Sequence, residues 1–97
     1  MIRHIVLFKF KPGVDWTDPR ALAAERTAAQ VGSEVPEVKE WRVGRNVSPR
    51  EVAYDFLVDG LLEDMDKVES YLVHPFHQDA IRQWREISDW VIADVEV

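Results

Sequence analysis

Tyr71-Leu-Val-His74-Pro-Phe-His77-Gln sets two imidazoles around a proline and beside a phenol, in a stretch that otherwise reads as apolar helix. An imidazole titrates near neutral pH, so a histidine in an apolar pocket can take a proton from carbon next to a carbonyl. A nearby tyrosine can then donate to the enolate oxygen as it develops. His77 and Tyr71 are the candidates for these catalytic roles, with His4 near the N-terminus as a third polar group for the same pocket. Tyr71 lies six positions before His77 across the proline, so helical spacing alone does not bring the two together. The competing account is structural: a core histidine satisfied by a backbone carbonyl, with Tyr71 packed over the helix. His74 precedes Pro75, where α geometry is disfavoured, and its ring is placed to cap backbone groups. No metal site is expected, because the proline denies His74 and His77 a common helix face and no third ligand stands at a recognisable spacing.

The elements that must position these groups follow from hydrophobic periodicity. Ile2 to Lys11 is rich in β-branched and aromatic residues and ends at Pro12-Gly13, which predicts a strand. His4, Val6, Phe8 and Phe10 fall on one face of it and Ile5 and Leu7 on the other, so both faces ask for cover. Thr17 or Asp18 followed by Pro19 is a helix start. Ala21, Ala24, Ala28 and Val31 form the stripe of that helix, and Gly32 is its expected stop. Glu37 to Val47 and Ala53 to Leu61 read as an antiparallel hairpin. From Asp64 the period is helical, with Met65, Val68 and Leu72 on one stripe, up to a break at His74. Beyond Pro75, His77, Ala80, Ile81, Trp84 and Ser88 share a side, which turns His77 toward the core. In the closing strand Val91, Ala93, Val95 and Val97 alternate with Trp90, Ile92, Asp94 and Glu96.

The order strand, helix, strand, strand, helix, strand is the ferredoxin-like βαββαβ arrangement, an α+β fold with an antiparallel sheet in a single domain over residues 1–97. Its helices cover one sheet face, which leaves the face of Ile5 and Leu7 for a second copy of the chain and predicts a homodimer. Tyr54, Phe56 and Val58 are expected on one strand face, where with His4, Phe8 and Trp84 they line either a ligand pocket between helices and sheet or a filled core.

Composition narrows the function classes. With 12 basic and 18 acidic side chains the net charge is −6, and no basic run suits a phosphate backbone, so nucleic acid is not an expected partner. The absence of cysteine excludes disulfides, thiolate catalysis and iron–sulfur clusters. The apolar run at the N-terminus is short and broken by Lys9 and Lys11, so neither a membrane span nor a signal sequence is expected, and a cytoplasmic location is the default.

His4-Ile-Val-Leu-Phe-Lys-Phe-Lys11, Val43-Gly-Arg-Asn-Val47, Tyr54-Asp-Phe56 and the Tyr71–Gln78 motif resemble, in this order and over nearly the whole chain, the Dabb family of stress-responsive dimeric A/B barrel domains. The resemblance implies a homodimer whose two sheets form an α/β barrel with helices outside, and a stress-linked role by the family's name. It leaves the reaction open, since most bacterial members have none assigned. One plant member is a polyketide cyclase that performs an intramolecular aldol condensation without metal or organic cofactor; its catalytic histidine and tyrosine match His77 and Tyr71, and a pocket histidine matches His4. Phe56 stands where that cyclase has another histidine, so its substrate does not carry over. A monooxygenase of the antibiotic-biosynthesis type is a further alternative by likeness of barrel outline.

Overall fold

The computed structural model describes all 97 residues. Its elements run β1 (Ile2–Phe10), α1 (Pro19–Glu34), β2 (Glu40–Arg45), β3 (Phe56–Leu62), α2 (Met65–Val73), α3 (Pro75–Ile87) and β4 (Ser88–Glu96). The four strands form one antiparallel sheet in the order β2-β3-β1-β4. This is the ferredoxin-like arrangement, with its second helical segment divided in two at Pro75.

Local chemistry sets the helix ends. The Asp18 carboxylate accepts from the Arg20 amide at 2.8 Å, and Pro19 occupies the first turn, where a missing N–H costs nothing. Asp64 caps α2 by accepting from the Lys67 amide at 2.9 Å. At the break, His74 Nδ1 accepts from the Phe76 amide at 3.1 Å, so this ring starts α3. α1 does not stop at Gly32 but continues to Glu34. Gly32 instead serves packing: a Cβ there would lie 2.5 Å from the Cβ of Trp41, and one on Gly60 would lie 2.9 Å from the Trp41 ring. The indole thus sits between two bare backbones, on α1 and β3, and donates its N–H to the Ala28 carbonyl at 2.8 Å.

The strand register sorts side chains onto two faces. The inner face carries His4, Val6 and Phe8, flanked by Gly60, Val58 and Phe56 on β3 and by Asp94, Ile92 and Trp90 on β4. The helices cover it, and the aromatic core forms here: Trp84 stacks on Phe56 at 4.8 Å and meets Phe8 at 4.3 Å. Removing a ring such as Trp84 would cost about 3–5 kcal/mol.

The outer face carries Ile5, Leu7, Leu57, Leu61, Val91, Ala93 and Val95. No helix covers it, and Leu7, Val91 and Val95 are 38%, 49% and 47% exposed. At its β2 side Asp59, 5% exposed, accepts from Arg3 at 2.8 Å and from Arg42 at 2.8 and 3.1 Å. Burial works to raise the Asp59 carboxyl, but the two guanidinium groups outweigh it and hold it below the usual carboxylate range. No helix of the chain is long and apolar enough to cross a membrane.

Candidate functional site

A cavity of about 70 Å³ lies between the inner face of the sheet and the helices. β1 supplies His4, Val6 and Phe8, α2 supplies Tyr71 and Leu72, α3 supplies His77, Ala80, Ile81 and Trp84, and Trp90 and Ile92 of β4 border it. Its walls are apolar except at His4, Tyr71 and His77. The cavity is not closed, and Ile92, 51% exposed, marks its open side along β4.

Pro75 brings Tyr71 and His77 together. The break between α2 and α3 folds the chain so that the two rings lie 4.0 Å apart between centroids, although regular helical spacing would not make them neighbours. His77 Nδ1 lies 3.2 Å from the Leu72 carbonyl oxygen. A carbonyl only accepts, so Nδ1 carries the hydrogen and Nε2 of the neutral ring keeps its lone pair. Burial pushes the His77 imidazole down to about 4; the bond to Leu72 works against this, and His4 and His74 add to the depression. Burial also pushes the Tyr71 phenol up, and the Asp94 carboxylate adds to that. At neutral pH the cavity therefore presents Tyr71 as a protonated donor and His77 as a neutral acceptor.

His4 is 2% exposed and lies edge-on to Tyr71, with ring centroids 5.2 Å apart. Its Nδ1 is 2.5 Å from Asp94 Oδ1. Neither Nε2 of the two histidines nor the Tyr71 hydroxyl has a protein partner, and the buried indole N–H of Trp84, another lining residue, also lacks one.

Of the residues singled out from sequence, the fold brings His4, Phe8, Val58, Tyr71, His77 and Trp84 to this cavity. Phe56 lies outside its lining, in the packed core between Trp84 and Trp16. Tyr54 lies outside it too, because β3 begins only at Phe56. The Asp55 carboxylate takes the Phe10 amide at 2.8 Å, ending the pairing of β1 with β3 there, and Tyr54 is left beside Lys9, whose ammonium is 5.7 Å from its ring centre. Asp94, Trp41, Trp90 and Ile92 were not singled out. The alternation of the closing strand already sets Trp90, Ile92 and Asp94 on one face, and the ferredoxin-like order makes that strand a neighbour of the first. No group of three or more His, Cys, Asp or Glu side chains is arranged to hold a metal ion.

The family model of the stress responsive A/B barrel domain, Dabb, matches residues 2–97. The chain belongs to the Dabb family. This Dabb domain is 42% identical over 96 residues to the uncharacterized protein SCO4036 of Streptomyces coelicolor, with 99% of each chain covered. Among solved structures it is similar to a dimeric ferredoxin-like protein from Thermobifida fusca, at 25% identity and a TM-score of 0.86, covering 99% of this chain and 90% of that one. It also shares its fold with the hydroxynitrile lyase of Passiflora edulis, at 15% identity and a TM-score of 0.82, covering 99% and 92%.

Proposed function

We propose that this Dabb domain works as a homodimer and takes the carbonyl end of a small, largely apolar or aromatic metabolite into the cavity between helices and sheet. One observation carries the ligand half: Tyr71, His4 and His77 line one apolar cavity, and Tyr71 Oη, His4 Nε2 and His77 Nε2 have no protein partner. Buried polar groups are normally bonded, and an apolar pocket with a few convergent polar groups is the usual build of a small-molecule site. The same groups suit proton transfer beside a carbonyl, the activity that the resemblance implies for His77 and Tyr71, since the phenol stays protonated and the two rings touch.

The dimer half rests on the uncovered outer face, where Leu7, Val91 and Val95 leave a continuous apolar surface to water. The relative from Thermobifida fusca is described as dimeric, which supports the same assembly here.

Calorimetric titration with small methyl ketones and aromatic aldehydes tests the ligand reading. Binding by the native protein, weakened about tenfold or more by Tyr71→Phe, is expected; equal binding by Tyr71→Phe and by His77→Leu would refute the role given to these groups. Sedimentation equilibrium at micromolar concentration tests the assembly, and a well-folded single chain there would refute it.

A further inference from the structure

His4 and His77 border the same cavity but are wired differently. His77 gives its Nδ1–H to the neutral carbonyl of Leu72, whereas His4 gives its Nδ1–H to the carboxylate of Asp94 at 2.5 Å. The β1–β4 register places His4 directly opposite Asp94 on the inner face, so two hydrogen-bonded strands hold this pair rather than a loop. A carboxylate behind an imidazole fixes the tautomer, leaves Nε2 free as base, and stabilises the imidazolium once a proton arrives. A carbonyl does the first two and offers no charge for the third. Both imidazoles are buried, so the carboxylate behind His4, which His77 lacks, is what separates them as bases.

Resting on the reading of the cavity as a ligand site, we propose that His4, oriented by Asp94, is the catalytic base and removes a proton from the methyl group of a methyl ketone, while Tyr71 hydrogen-bonds the oxygen that becomes the enolate. The methyl C–H bond breaks, its electron pair becomes the new C=C bond, and the carbonyl π pair moves onto oxygen. The proton goes to His4 Nε2. Its return to carbon, or its exchange with water first, restores the ketone and the neutral imidazole without oxidant or co-reactant. Asp94 is a positioning residue whose carboxylate hydrogen-bonds the His4 ring and no other side chain.

Cavity size selects the substrate class. A cavity of about 150 Å³ accommodates benzene, roughly 25 Å³ per carbon. On that scale 70 Å³ encloses about three non-hydrogen atoms, the count of an acetyl head. The remainder of a longer ligand would leave past Ile92 and Trp90, where an aryl tail finds apolar and aromatic surface.

The test uses 4-phenylbutan-2-one and the full chain in deuterated buffer near neutral pH. Calorimetry reads binding, and loss of the methyl proton signal by NMR reads exchange. We expect the native protein to bind the ketone and exchange its methyl protons faster than buffer does. Asp94→Asn should lower the exchange rate at saturation about 100-fold, in the range of a lost general base, with binding changed less than about threefold. His77→Gln should weaken binding, while the rate at saturation falls less than about tenfold. Binding without exchange would overturn this proposal alone, as would a His77→Gln protein that loses the saturated rate while Asp94→Asn keeps it. Failure to bind the ketone would overturn the ligand reading as well. Nitrogen-15 NMR of the native histidines gives a check that needs no variant: His4 must carry its hydrogen on Nδ1, and an Nε2–H tautomer would overturn the assignment.

Discussion

Replacing His77 with Gln should flatten the loss of stability in mild acid. In the unfolded chain this imidazole takes up a proton as the pH falls through 6.5, whereas in the folded chain burial holds it back to about 4. Between those values the unfolded state binds more protons, so acid favours unfolding; the stability is fully present above 6.5 and drains away toward 4. At about 1.4 kcal/mol per pH unit across this window, the loss attributable to His77 works out at about 2 kcal/mol at pH 5 and about 3 kcal/mol at pH 4. That is a large share of the 5–15 kcal/mol on the order of which small domains are stable. Gln does not titrate, and its amide is able to donate to the Leu72 carbonyl as Nδ1 does. Urea unfolding followed by far-ultraviolet circular dichroism, at one protomer concentration and at pH 7.5 and 5, gives the comparison. His4 and His74 are present in both proteins, so the difference reads His77 together with its coupling to them. The native protein should lose about 2 kcal/mol more than the variant over that interval. Parallel loss in the two would show that His77 is not held neutral by burial, and the account of the cavity's electrostatics would fall.

Gly32→Ala should lower the melting temperature, because its methyl would lie 2.5 Å from the Trp41 Cβ while Gly60 blocks retreat of the ring. Overpacking of this kind costs about 1–3 kcal/mol against a helix-propensity gain of at most about 1, and melting at or above the native temperature would refute the clamp. Leu7→Glu puts a charge between Leu57 and Val91 on the outer face and should turn a dimer into single chains in sedimentation; an unchanged dimer would place the interface elsewhere. Asp59→Asn removes the shared acceptor of Arg3 and Arg42 and should cost about 2 kcal/mol in urea unfolding, in the range of charge-assisted hydrogen bonds. No loss there would mean the pairs are offset by desolvation.

The readable parts of the sequence were those where a local rule and the tertiary fold agree. The alternation in β1 marked both of its faces, Asp18-Pro19 marked a helix start, and Pro75 marked a helix break, while the contact that this break makes between Tyr71 and His77 is visible only in the structure. Expectation and structure part where a residue answers to a distant partner. Gly32 reads as a helix stop, but its missing side chain makes room on α1 for Trp41 of β2. Tyr54 reads as part of a strand, but the Asp55 side chain takes the amide that would have continued the pairing. The alternation puts Asp94 on one face with Trp90 and Ile92, but only when β4 is laid beside β1 does it meet His4. Its significance depends on register, which no window of neighbouring residues contains.

Three of the chain's four indoles, Trp41, Trp84 and Trp90, border the cavity, and two of them touch the ring of Phe8. The protein therefore carries its own optical gauge. A soluble quencher entering along β4 reaches half-buried Trp90 before Trp84, which is 2% exposed, so the sequence in which emission is lost traces the direction of entry. A guest lodged at the mouth would shield the first of these lamps and leave the second unchanged.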